Sequence, residues 1–145
     1  MSTFQSSAGW QGRQFAQQCT FLLEANGFRL TGRSVLADLG VEIDEVAENR
    51  RGSVVWFEFK GSFQGARPGL LRTDTVKKAI ANGALLRSLD DHPPYVVLTS
   101  HVPTAGSAAA MLTVALTLGY LDDVICVNDP VALQRLAKLA ESTGV

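Results

Sequence analysis

Asp44, Glu58 and Lys60 are the side chains whose types and spacing could do chemistry. They lie in Val41 to Ser62, a stretch that reads as a hairpin. Glu42 and Asp44 alternate with Val41 and Ile43 on the first arm, and Glu58 and Lys60 alternate with Phe57 and Phe59 on the second. Each arm therefore shows its charges on one side. With the turn in Glu48 to Gly52, the antiparallel register predicts Asp44 opposite Glu58 and Glu42 opposite Lys60. Residues opposed in this way have Cβ atoms about 4.5–5.5 Å apart. Two carboxylates that close repel unless a cation lies between them, and a neighbouring lysine neutralises only part of the charge. The arrangement points to a divalent metal site. The same charges also suit a cross-strand salt bridge between Lys60 and Glu42 or Glu58, worth about 0–1 kcal/mol on an exposed face.

The rest of the chain must position these residues. Its 145 residues, 46% hydrophobic and 19% charged, predict one ordinary globular domain spanning residues 1–145. The formal net charge of −1 provides no global basic field, so any nucleic-acid surface has to be local. Cys19 and Cys126 each fall in an apolar periodic segment and read as reduced core thiols. Trp10 and Trp56 likewise read as core residues. Met1 to Gly9 has neither the apolar run nor the basic flank of a signal peptide, which leads to the expectation of a cytoplasmic location. Ala105 to Leu121 is too weakly hydrophobic for a membrane span and reads as a packed helix.

Trp10 to Asn26 sets Phe15, Cys19, Leu22 and Leu23 at helical spacing, with Gly27 as a stop. Phe28 to Leu30 and Val35 to Leu36 flank Thr31 to Ser34 and predict a short strand with an irregular continuation. Gly61 to Gly69 reads as a loop, longer than the commonest connections and so a candidate functional segment. Thr73 or Asp74 is placed to cap a helix running to about Leu89, with Val76, Ile80, Gly83 and Leu86 as its buried stripe. Lys77 and Lys78 sit near its start, where the helix dipole disfavours cations; a bound anion such as phosphate accounts for them, and so does a solvated face. Tyr95 to Thr99 is continuously apolar, as in a strand buried on both sides. A helix from Thr104 to Leu118, a strand from Asp123 to Val127 and a helix from Pro130 to Glu141, capped by Asp129, complete the chain. The predicted class is α/β, a mixed sheet with helices on both faces.

Asp44, a turn, and Glu58-Phe59-Lys60 preceded by Val54-Val55-Trp56-Phe57 resemble the D…(D/E)-x-K signature of the PD-(D/E)XK nuclease superfamily, the restriction-endonuclease-like fold. Gly40-Val41-Glu42-Ile43-Asp44, after a helix ending in Gly27-Phe28, is similar to the endonuclease-like and Holliday-junction-resolvase branches. That family's α-β-β-β-α-β core, with the aspartate on the second strand and E-x-K on the third, has the order read here from Trp10 through Thr99. The helix-strand-helix from roughly Thr104 to Val145 is a C-terminal extension of it.

The resemblance implies a Mg²⁺-dependent endonuclease, with Mn²⁺ able to substitute, acting on DNA in a repair, resolvase or restriction role and working on double strands as a homodimer. It implies Asp44, Glu58 and the backbone carbonyl of Phe59 as metal ligands, and Lys60 as the residue that positions water and stabilises charge. Glu42, Gln14 and Gln18 would support the metal or its waters from one layer further out. Arg67, Arg72, Lys77 and Lys78 would contact phosphates. Two departures stand out. Gly40 to Ile43 replaces the proline that names the motif, and Gln14, Gln17 and Gln18 occupy the first helix where many members carry an acid. The glutamines and the near-neutral charge support an alternative: a catalytically weak or inactive nuclease-fold module that binds nucleic acid or a protein partner.

Overall fold

The computed structural model describes residues 3–62 and 68–143, with residues 3–12 described by their backbone. Helix α1 (Thr3–Ala25) leads into strands β1 (Arg29–Leu36), β2 (Val41–Glu48) and β3 (Val54–Lys60). A short 3-10 helix (Gly69–Leu71) then precedes α2 (Thr73–Leu86), β4 (Tyr95–Thr99), α3 (Gly106–Leu118), β5 (Asp123–Cys126) and α4 (Pro130–Glu141). The strands form one five-stranded sheet in the order β1-β2-β3-β4-β5. The two pairings within β1-β2-β3 are antiparallel, and β3-β4 and β4-β5 are parallel.

The expected α/β layering is therefore present, with an apolar cluster on each face of a mixed sheet. On one face Phe15, Cys19 and Leu23 of α1 and Leu136 and Ala140 of α4 pack with Phe57, Val96 and Leu98. On the other, Val76 and Ala79 of α2 and Leu112 and Ala115 of α3 pack with Ile43 and Val97. β4 is buried at all five of its positions, as its continuous apolar sequence predicts. α2 comes close to the turn after α3 through Gly83, where a Cβ would overlap the Tyr120 carbonyl oxygen.

Local chemistry sets the element ends. α1 stops at a Schellman motif: Phe28 N–H returns to the Leu23 carbonyl and Gly27 N–H to that of Glu24, both at 3.0 Å, with Gly27 at φ 94°. α4 starts as expected, Asp129 accepting from the Val131 amide at 3.0 Å ahead of Pro130. Other ends differ from the sequence reading. α1 begins at Thr3 rather than Trp10, α2 ends at Leu86 rather than near Leu89, and β1 runs unbroken through Gly32. α3 begins at Gly106 and β5 ends at Cys126. Neither Thr73 nor Asp74 caps α2: Arg72 holds that position without a side-chain bond, and the Asp74 carboxylate accepts from the Thr75 amide inside the first turn. Both cysteines are free thiols. Among the described residues no helix is long and apolar enough to cross a membrane.

Candidate functional site

A β-bulge builds the site. β1 pairs Gly32 with Val46 and Ser34 with Ile43, so Arg33 alone on β1 faces both Asp44 and Glu45 on β2. The extra residue breaks the alternation of β2. Asp44 and Glu45 consequently both line a cavity of about 380 Å³ with Phe15, Ala16 and Thr20 of α1 and with Phe59 and Gly61. Gly61 admits α1 here, since a Cβ would lie 2.5 Å from the Phe15 ring.

The β2–β3 register is the predicted one, but the ladder runs only from Glu48 opposite Val54 to Glu45 opposite Phe57. It ends one residue short of the Asp44–Glu58 pair. Asp44 lies where the strands part, and its Oδ2 accepts the Phe59 amide at 2.8 Å in place of a backbone carbonyl. In an extended strand a residue's N–H and C=O leave on the same side, so the Phe59 carbonyl is presented to this gap as well.

Glu58 is 3% exposed. Its Oε2 accepts from the Tyr95 hydroxyl at 2.6 Å, and its Oε1 lies 3.4 Å from Lys60 Nζ. Burial, then a hydrogen bond to Asp44 and the charge of Asp44, push the Glu58 carboxyl up to about 7, against the opposing effects of Tyr95 and Lys60. When it carries a proton, Glu58 can donate it towards Asp44. Burial raises the Tyr95 phenol far above its usual range, with a further push from Glu58, while Asn82 of α2 acts in the opposite direction through a side-chain hydrogen bond. Tyr95 therefore serves Glu58 as a donor. Burial also raises the Glu45 carboxyl, partly offset by the Gly32 amide that it accepts from.

The structure brings Asp44, Glu58 and Lys60 together, with Phe59 between them in sequence. Glu42 is not with them: it lies on the exposed side of β2 in an ion pair with Arg33, and not opposite Lys60. Gln14 and Gln18 are exposed, and α1 turns Phe15, Ala16 and Thr20 towards Asp44 instead. Arg72 is exposed and bonds Asp74 at 3.3 Å. Lys77 and Lys78 are exposed near the start of α2, and Arg67 lies outside the described residues. Sequence reasoning missed Glu45, Tyr95 and Asn82. For Tyr95 a signal existed, because a tyrosine heading a fully buried strand requires a partner for its hydroxyl.

Among the described residues no group of three or more His, Cys, Asp and Glu side chains is placed to hold a metal. What meets here is a smaller set, two carboxylates and a carbonyl. Mg²⁺ is commonly held by one or two carboxylates, with waters and substrate phosphate completing its shell, so this oxygen-only set fits that ion. The chain matches no family model, no curated protein and no solved structure.

Proposed function

We propose that this chain is a restriction-endonuclease-like, Mg²⁺-dependent endonuclease that hydrolyses DNA phosphodiester bonds in a repair, resolvase or restriction role. One observation carries the reading: two carboxylates from strands that part at that point are held together beside Lys60, with Glu58 buried and pushed up to about 7. A pair kept close against its own repulsion is a donor set that a hard cation relieves. The order of elements, with Asp44 on β2 and Glu58-Phe59-Lys60 on β3, supports the same reading.

Asp44, Glu58 and the Phe59 carbonyl would hold Mg²⁺ or Mn²⁺, which when bound supplies Lewis acidity towards a phosphoryl oxygen and a more acidic water. Tyr95 fixes Oε2 of Glu58 and so orients the carboxylate with Oε1 towards Lys60. The Lys60 ammonium, 19% exposed at its side chain, positions the attacking water and stabilises negative charge as it develops on phosphorus-bound oxygens. Phe15 and Phe59 wall the cavity on the α1 side. Arg72, Lys77 and Lys78, with Arg67, hold the nucleic-acid backbone without reading its sequence.

A second reading, a catalytically weak or inactive module of the same fold that binds nucleic acid or a protein, is favoured by the exposed Gln14 and Gln18. Incubating the wild type and Lys60→Ala with duplex, single-stranded and branched DNA in Mg²⁺ and in Mn²⁺ separates the two. The wild type is expected to cut at least one substrate, and Lys60→Ala to be slower by about 100-fold or more. Equal rates overturn the role of Lys60. No cleavage of any substrate leaves the binding module.

A further inference from the structure

The two acids at the bulge reach in opposite directions. Asp44 Oδ2 accepts from the Phe59 amide on β3, whereas Glu45 Oε2 accepts at 2.5 Å from the Gly32 amide on β1, the strand on the other side of β2. Glu45 is 7% exposed. The backbone around it is doubly irregular. Thr31 is an extra residue on β1 between the Leu30–Ala47 and Gly32–Val46 pairs, and directly beyond them Asp44 and Glu45 together face Arg33. Gly32 lies between the two bulges at φ 100°, a conformation that favours glycine. Side chains serve the backbone here: Thr31 Oγ1 donates to the Val46 carbonyl at 2.7 Å, and the Glu45 carboxylate takes the part-buried Gly32 amide. A buried amide left without an acceptor is costly, and a carboxylate is among the strongest acceptors it can find.

We infer that Glu45 is a positioning residue for Asp44: its carboxylate pins the bulge to β1 and so sets where Asp44 stands as β2 and β3 part. This rests on the nuclease reading, in which Asp44 is a metal ligand. Glu45 opposite Phe57 is the last pair of the β2–β3 ladder, and Asp44 follows directly. With Glu45 held on β1 and Asp44 on β3, the bulge is fixed from both sides. A one-residue shift of register reverses the face that a strand residue takes, so fixing Glu45 fixes the side on which Asp44 stands. The geometry separates this role from that of a ligand. Glu45 shares the cavity with Asp44, but its bonded oxygen is directed to β1, away from Phe59. Among the described residues it does not join Asp44 and Glu58 in a group of three placed to hold a metal. What Glu45 supplies is reach and an acceptor oxygen, and its charge is dispensable.

Two conservative variants separate reach from charge. Glu45→Gln keeps the length and an oxygen for the Gly32 amide while losing the charge; Glu45→Asp keeps the charge but is one methylene shorter. Mn²⁺ binding to the full chain without DNA is followed by loss of the free ion's electron paramagnetic resonance signal. Glu45→Gln is expected to bind as the wild type does, and Glu45→Asp to bind more weakly by about 10-fold or more, the usual cost of losing a partner that orients a ligand. Hydrogen exchange of the Gly32 amide is expected to stay slow in Glu45→Gln and to speed up in Glu45→Asp. A Glu45→Gln chain that loses Mn²⁺ affinity shows that the charge acts on the metal and overturns the inference, and this arm decides alone if circular dichroism shows Glu45→Asp unfolded. A folded Glu45→Asp chain that binds as the wild type does overturns it too. Either result, with a wild type that binds Mn²⁺, leaves the nuclease reading standing; a wild type that binds none overturns both.

Discussion

At the turn of the β2–β3 hairpin the Asn49 side chain, 5% exposed, has a partner for each of its polar groups, whereas at the hairpin's open end Asp44 and Glu58 bring two carboxylates into one gap. Asn49 Nδ2 donates to the Leu139 and Ser142 carbonyls at 2.9 and 2.7 Å, and its Oδ1 accepts from the Arg51 and Ser53 amides, each at 3.0 Å. Arg50 adds a backbone bond to the Ala140 carbonyl and an ion pair with Glu141, and the Arg51 guanidinium reaches the Glu141 carbonyl. Cations there complement the negative end of α4. The open end has the opposite character, with burial and like charge raising the energy of the ionised pair. The difference shows that stability is concentrated where no chemistry is proposed, and that the firmly held turn lets the open end keep an unfavourable arrangement ready for a cation.

The largest test of this contrast is pH. The Glu58 carboxyl is raised to about 7 in the folded chain from an ordinary 4.5. Below 4.5 both folded and unfolded chains hold this proton, and the group costs nothing. As pH rises from 4.5 towards 7 the unfolded chain ionises first, so stability falls, by on the order of 3 kcal/mol once both states are ionised. Urea unfolding at stepped pH should show this fall in the wild type relative to Glu58→Gln, and millimolar Mg²⁺ should flatten it. Identical pH profiles for the two proteins would remove the contrast. Asn49→Ala comes next. It removes four hydrogen bonds to part-buried backbone groups, of which the Leu139 carbonyl keeps the Ser142 amide and hydroxyl as donors, and should lower unfolding free energy by about 2 kcal/mol while leaving cleavage per folded molecule unchanged. The smallest effect is expected for Glu42→Gln. Its exposed pair with Arg33 contributes under about 1 kcal/mol, and cleavage should match the wild type. A loss as large as that of an Asp44 variant would instead return Glu42 to the site.

Element order, β4, α4 and the hairpin register were legible in the sequence because each follows from a short-range pattern: alternation, continuous apolarity, a cap. The bulge was not. One extra residue in β2 is read only against its partner strand, and Arg33, which faces it, looked like part of a turn. That residue moves Glu45 to the Asp44 side, which strict alternation forbids. Gln14 and Gln18 were expected at the site because many members of the resembled family carry an acid on that helix, whereas the apolar stripe of Phe15 and Cys19 decides which way α1 faces. Glu42 finds Arg33 across β1, a pairing that the hairpin alone cannot reveal. Asn49 looked like an ordinary turn residue, since its partners lie at the far end of the chain.

Those partners are 90 and 93 positions away in sequence. Contacts that close so long a loop are entropically costly to form early, and they are made after the local strands and helices are in place. Interactions absent from the folding transition state act mainly on the rate of unfolding. The Asn49 clasp is therefore a timer: it governs how long each native molecule persists, and with it the working life of the carboxylate pair at the other end of the same hairpin.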